Sequence, residues 1–114
     1  MALSPAMAID MEPNLASNLF ASPFGRQRKV MFRYLVMTMR TPQFQPSVIE
    51  AHQAFLERLR QRGNLEMSGP FTDKTGGAYL IRVENVEEAK ALAFTDPVYT
   101  TKSSVVTVYE WNAQ

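Results

Sequence analysis

Cysteine is absent from the 114 residues, and histidine occurs once. The first absence removes disulfides, thiolate nucleophiles and thiolate metal sites together. With a single histidine besides, neither a protein metal site nor a bound cofactor is expected: His52 is the one imidazole that could ligate a haem. No apolar run approaches the roughly 20 residues of a membrane span. The opening stretch, MALSPAMAIDMEPNLASNLF, carries Asp10 and Glu12 and lacks a basic segment followed by an apolar one. A secretory signal is therefore not expected, and the cytoplasm is the expected location. Charge of one sign is scarce too. The formal net charge is +1, so no strong field draws nucleic acid or anionic lipid. Arg58, Arg60 and Arg62 fall close together, but Glu57 stands among them and a solvated helix face accounts for the group. Neither a nucleic acid nor a membrane is an expected partner. No GxGxxG, P-loop, HExxH or GxSxG motif is present.

What remains is ordinary in composition. Hydrophobic residues make up 46% and charged residues 20%, values close to a globular average. The length is that of one domain. Residues 1–30 hold Pro5, Pro13 and Pro23 with scattered Ser and Asn, and are read as a flexible N-terminal extension. The folded domain is expected over residues 31–114.

From Phe32 the pattern sharpens. FRYLVMTM alternates two apolar sets, Phe32, Tyr34 and Val36 against Leu35, Met37 and Met39. A strand apolar on both faces is buried on both. RTPQFQP is a turn, and Pro46 suits the first turn of a helix running from Ser47 to Arg62, with Gly63 as its stop. NLEMSGPF is a short strand, and Pro70 places it at an edge. DKTGG, Asp73 to Gly77, is read as a hairpin loop, with Gly76 and Gly77 serving the turn. AYLIRVE is the third strand. Asn85 and Glu88 form a capping box before a second helix from Val86 to Phe94. Asp96-Pro97 opens a further turn, and SSVVTVYEW is the last strand. The order βαββαβ is the ferredoxin-like, α+β pattern: a four-stranded antiparallel sheet with two helices on one face. The other face needs a cover, and a second copy of the chain supplies one. A homodimer through the open sheet face is expected.

His52 is placed unusually for a polar residue. At about 100° per residue from Val48, it falls near 40°, among Phe55, Leu56 and Leu59. An imidazole there must find a hydrogen-bond partner. One reading is a core histidine satisfied by a backbone carbonyl. The other is a general base, since an imidazole titrates near neutrality. Asp96 is the natural partner to orient the ring. It also has the pattern of a helix N-cap followed by Pro at the first helical position, and these two readings compete. Ser68, Gly69 and Pro70 form the third feature: a hydroxyl beside a backbone that a ligand can approach closely, or only a strand bend that needs glycine.

Three segments, HQAFLERLRQRG, LEMSGPFTDKTGG and EEAKALAFTDPVY, followed by a strand ending at Trp111, together resemble the YciI-like family of dimeric α+β barrels. SGPF-x-D is also similar to the neighbouring DGPF-type proteins. The resemblance implies a ferredoxin-like fold, a homodimer, and a histidine–aspartate pair, here His52 and Asp96, as the active site. It implies that Ser68, Gly69 and Pro70 line the same pocket and bind substrate. Characterised relatives include a dehydrochlorinase acting on a chlorinated hydroxyhydroquinone. Two departures stand out: Val98 rather than an aromatic follows Pro97, and TTKSS replaces a region that often holds glycine.

Two functions follow as expectations. One is a cofactor-independent enzyme, lyase- or isomerase-like, that transfers a proton on a small cyclic or aromatic molecule. The other is a non-catalytic dimeric module that binds a small ligand or acts as an accessory.

Overall fold

The computed structural model describes residues 30–114; the expected extension therefore lies almost wholly outside the described residues. Seven elements follow one another: β1 Phe32–Arg40, α1 Val48–Gln61, β2 Leu65–Pro70, β3 Gly76–Val83, α2 Val86–Ala93, α3 Pro97–Thr100 and β4 Ser104–Glu110. The strands form one antiparallel sheet in the order β2-β3-β1-β4. This is the ferredoxin-like α+β fold that the element order predicts.

Local chemistry accounts for the boundaries. Gly63, at φ +82°, ends α1. Its N–H reaches the Arg60 carbonyl, and the Asn64 N–H reaches back to Leu59. That bond pair is the Schellman motif, which only a left-handed residue at this place completes. Asn85 caps α2 by accepting from the Glu88 N–H at 2.8 Å. The capping box is not closed in the expected way. The Glu88 carboxylate takes the N–H of Glu84, one residue before the cap. Pro46 lies just ahead of Ser47, the N-cap of α1, rather than inside the first turn.

Two readings of the sequence need larger correction. Asp96-Pro97 opens not a simple turn but the short helix α3. Gly76 and Gly77 do not make the hairpin; they are the first residues of β3. The left-handed residue of the loop is Lys74, at φ +66°. The glycines have another reason. A Cβ on Gly76 would collide with the Thr38 carbonyl oxygen, and one on Gly77 would stand 2.7 Å from that of Gly69. Neighbouring strands approach here as only glycine permits.

The core lies between the sheet and the helices. Tyr34, Val36, Tyr79, Ile81 and Val83 project from the sheet and meet Phe55 and Leu59 of α1 and Ala89 and Ala93 of α2. Both long helices thus cover one face. The opposite face keeps large apolar groups at the surface, with Met67 64% and Val105 60% exposed.

Candidate active site

His52 sits one turn into α1, and Asp96 is the N-cap of α3, 44 residues further on. The two helices pack against each other. His52 Nδ1 lies 2.9 Å from Asp96 Oδ1 and 3.0 Å from Oδ2. Asp96 Oδ1 also accepts from the Val98 N–H at 3.0 Å, and Oδ2 accepts from the Tyr79 hydroxyl at 3.1 Å. The cap and the histidine contact therefore coexist. A carboxylate has two oxygens and about four acceptor sites, so one group serves three donors.

The Asp96 side chain is fully buried, while that of His52 remains 18% exposed. A carboxylate only accepts, so the imidazole proton belongs on Nδ1 and the lone pair on Nε2. Among the described residues nothing hydrogen-bonds Nε2. Tyr79 completes the arrangement from β3. Burial first, then the charge of Asp96 and the bond to it, raise the phenol's pKa above its ordinary value, so the hydroxyl stays protonated and donates. Its ring packs edge-on against Phe55 at 6.0 Å between centroids and lies 6.1 Å from the His52 ring. The sequence marks Tyr79 only as a residue of the third strand. Its one signal is general: a buried tyrosine needs a partner for its hydroxyl.

A pocket of about 370 Å³ opens beside His52. Ser68, Gly69 and Pro70 line it from β2, as do Gly76 and Gly77 from β3. Thr38 of β1 and Ser104 of β4, both buried, add hydroxyls. Thr38 is held by a 3.2 Å bond to the Gly77 carbonyl. Arg40 and Phe44 complete the wall near the end of β1. Neither Thr38 nor Arg40 carries a motif that would single it out in the sequence. Val98 lines the pocket, whereas Tyr99 turns away and stacks on Phe94 at 4.5 Å. In the TTKSS stretch, Lys102 takes a left-handed conformation at φ +60°. Among the described residues no three His, Asp or Glu side chains converge on a possible cation. No helix among them is long and apolar enough to cross a membrane.

An uncharacterized protein of Bacillus subtilis (strain 168), YjpA, is 43% identical over 81 residues, which cover 71% of this chain and 95% of YjpA. Among solved structures, the 5-chloro-2-hydroxyhydroquinone dehydrochlorinase of Burkholderia phenoliruptrix AC1100, in complex with 2,5-dihydroxybenzoquinone, is similar with a TM-score of 0.58. The match covers 72% of this chain and 95% of that one at 20% identity, and establishes likeness of fold. A hydroxynitrile lyase from Passiflora edulis overlaps more loosely, with a TM-score of 0.39 at 16% identity over 76% of this chain and 98% of its own. That overlap carries no argument. Residues 32–112 match the YCII-related domain, so the chain belongs to the YCII-related family.

Proposed function

We propose that the protein is a cofactor-independent enzyme that moves a proton on a small cyclic or aromatic substrate. The observation that carries this reading is His52, bonded through Nδ1 to a buried Asp96 while its ring borders a pocket. Nε2 takes a proton from a C–H or O–H of the substrate, and the electron pair stays behind as an enolate or phenolate. Returning the proton to a different atom isomerises the substrate; departure of a leaving group with its electron pair makes the reaction an elimination. Asp96 orients the ring and stabilises the imidazolium, acting through His52 rather than on the substrate. Ser68 and the backbone at Gly69 and Pro70 hold the substrate's oxygen atoms. A cavity of about 150 Å³ holds a bare benzene ring in another protein, so the larger pocket here accommodates a substituted one. The ligand of the Burkholderia dehydrochlorinase belongs to that protein, and it makes oxygenated rings the first class to test.

The proposed unit is a homodimer acting in the cytoplasm. Exposed Met67, Val105, Tyr109 and Trp111 would be covered if two sheets met face to face. The lack of cysteine agrees with a reducing compartment. Sedimentation should give a dimer mass, and Val105→Glu with Tyr109→Glu should give a monomer.

Since the chain has one histidine, its imidazole nitrogen-15 signals can be assigned without ambiguity. The neutral ring should carry its proton on Nδ1, and Asp96→Asn should release that preference. A wild-type ring protonated on Nε2 would sink the proton-transfer reading. With a turned-over substrate in hand, His52→Ala should lower kcat by about 10²- to 10⁴-fold. A non-catalytic module would keep its ligand affinity and have no turnover to lose.

A further inference from the structure

Arg40 ends β1 on the wall of the same pocket and has no part in the proton transfer proposed for His52. Its guanidinium carbon lies 4.1 Å from the centroid of the Phe44 ring. That stacking holds a flexible side chain over an aromatic face and leaves its N–H groups free for a planar partner. The ion pairs among the described residues are Arg33 with Glu66, Arg60 with Glu57, and His52 with Asp96. Arg40 has no carboxylate partner among them. Among the described residues the pocket lining contains no Asp or Glu. Asp96 stands behind His52, fully buried and engaged by three donors. Among the described residues the pocket wall thus presents one permanent positive charge and no acidic side chain.

From this we infer that Arg40, stacked on Phe44, is an anion subsite that selects substrates carrying a carboxylate or an acidic enol or phenol. The inference deepens the proton-transfer reading and rests on it for the substrate class. Removal of a proton by His52 leaves negative charge on the substrate, and a cation on the wall of the same pocket favours that charge. A guanidinium meets two oxygens of a carboxylate, or of a 1,2-dioxygenated ring, with two parallel N–H donors. Arg40 itself is exposed to water, so its contribution is that of a rim charge: moderate, and sensitive to salt.

The test is a titration of the full-length protein, read from the His52 imidazole and backbone signals by NMR. Four probes suffice. Salicylate is compared with uncharged salicylamide, and 2,5-dihydroxybenzoquinone, an acidic enol, with hydroquinone. At least one anionic probe should bind more tightly than its neutral counterpart, and added salt should narrow the difference. Which pair responds separates carboxylate from enol recognition. Arg40→Gln should weaken the anion by roughly tenfold and leave the neutral probe unchanged. Arg40→Lys should retain part of the preference, and Phe44→Leu should lose part of it. Equal binding of charged and neutral members of both pairs, no binding of either anion at millimolar concentration, or indifference to Arg40→Gln would each overturn the inference. His52→Ala keeps the charge preference if Arg40 alone supplies it. The subsite and the proton-transfer reading can therefore fail separately. Circular dichroism checks that each variant remains folded.

Discussion

The inner face of the sheet has two ends that are built differently. At one end Tyr34, Val36, Ile81 and Val83, each at most 1% exposed, pack against Leu59 and the helical alanines 89 and 93. At the other end the same strands present Thr38, Gly76 and Gly77, with Ser104 of β4 beside them, and the volume left over is the pocket. Strands β1 and β3 therefore pass from filled core to cavity within two residue pairs, from Val36 opposite Tyr79 to Thr38 opposite Gly77. The cavity arises by subtraction: side chains shrink while the backbone pairing continues. Tyr79 stands at the boundary, its ring against Phe55 and its hydroxyl on Asp96. It is the residue that ties the packed end to the polar one.

The packed end should respond most to lost volume. Leu59→Ala should cost about 2–5 kcal/mol in denaturant unfolding, whereas Thr38→Val at the pocket floor should cost no more than about 1.5 kcal/mol. Equal losses would remove the distinction between the two ends.

Adding volume should reverse the order of sensitivity. Gly77→Ala places a methyl 2.7 Å from the Gly69 carbonyl oxygen and 3.2 Å from Pro70 Cα. Strands β2 and β3 must then separate, at about 1–3 kcal/mol. Amide exchange along β2 should quicken, and probe binding in the pocket should weaken with it.

Tyr79→Phe tests the boundary. At neutral pH it should cost about 1.5–3 kcal/mol, because a bond to a carboxylate is lost inside the protein. That cost shrinks in alkali. Above about pH 10 the unfolded chain releases its phenol protons while folded Tyr79 keeps its own. The folded state then binds more protons, so stability falls as pH rises. Tyr34, raised by burial first and then by Glu110, adds to the same slope. Tyr79→Phe should flatten the alkaline loss and leave the Tyr34 share. Urea midpoints at pH 7 and above pH 10 measure both effects.

The smallest effect concerns the loop after α3. Lys102 at φ +60° follows Thr101, the C-terminal cap, in a conformation that glycine adopts without strain. Lys102→Gly should change stability by less than about 1 kcal/mol, in the favourable direction. A thermal melt detects it as a small rise in Tm.

Much of the fold was legible because it depends on neighbours along the chain. The alternation in FRYLVMTM, the stop at Gly63 and the cap at Asn85 each act within a few residues, where sterics and local hydrogen bonds decide. His52 was legible for the same reason, since helical periodicity sets its direction. Ser68 to Pro70 could be placed on an edge strand because proline lacks an N–H. Gly76 and Gly77 were misread because glycine in a loop-like string looks the same whether it serves a turn or a close approach between strands.

The sequence by itself determined the order of the strands and the two long helices, the face that α1 buries, and the intrusion of one imidazole into its apolar arc. Only the tertiary structure decided that Asp96 meets that imidazole, that Tyr79 shares the carboxylate, and that Arg40 stands on the pocket wall with no carboxylate partner among the described residues. These meetings join residues on different elements, across 44 positions in the case of His52 and Asp96. Their distances are set by how α1 and α3 pack together and against the sheet, a property of the assembled layers that no local pattern encodes.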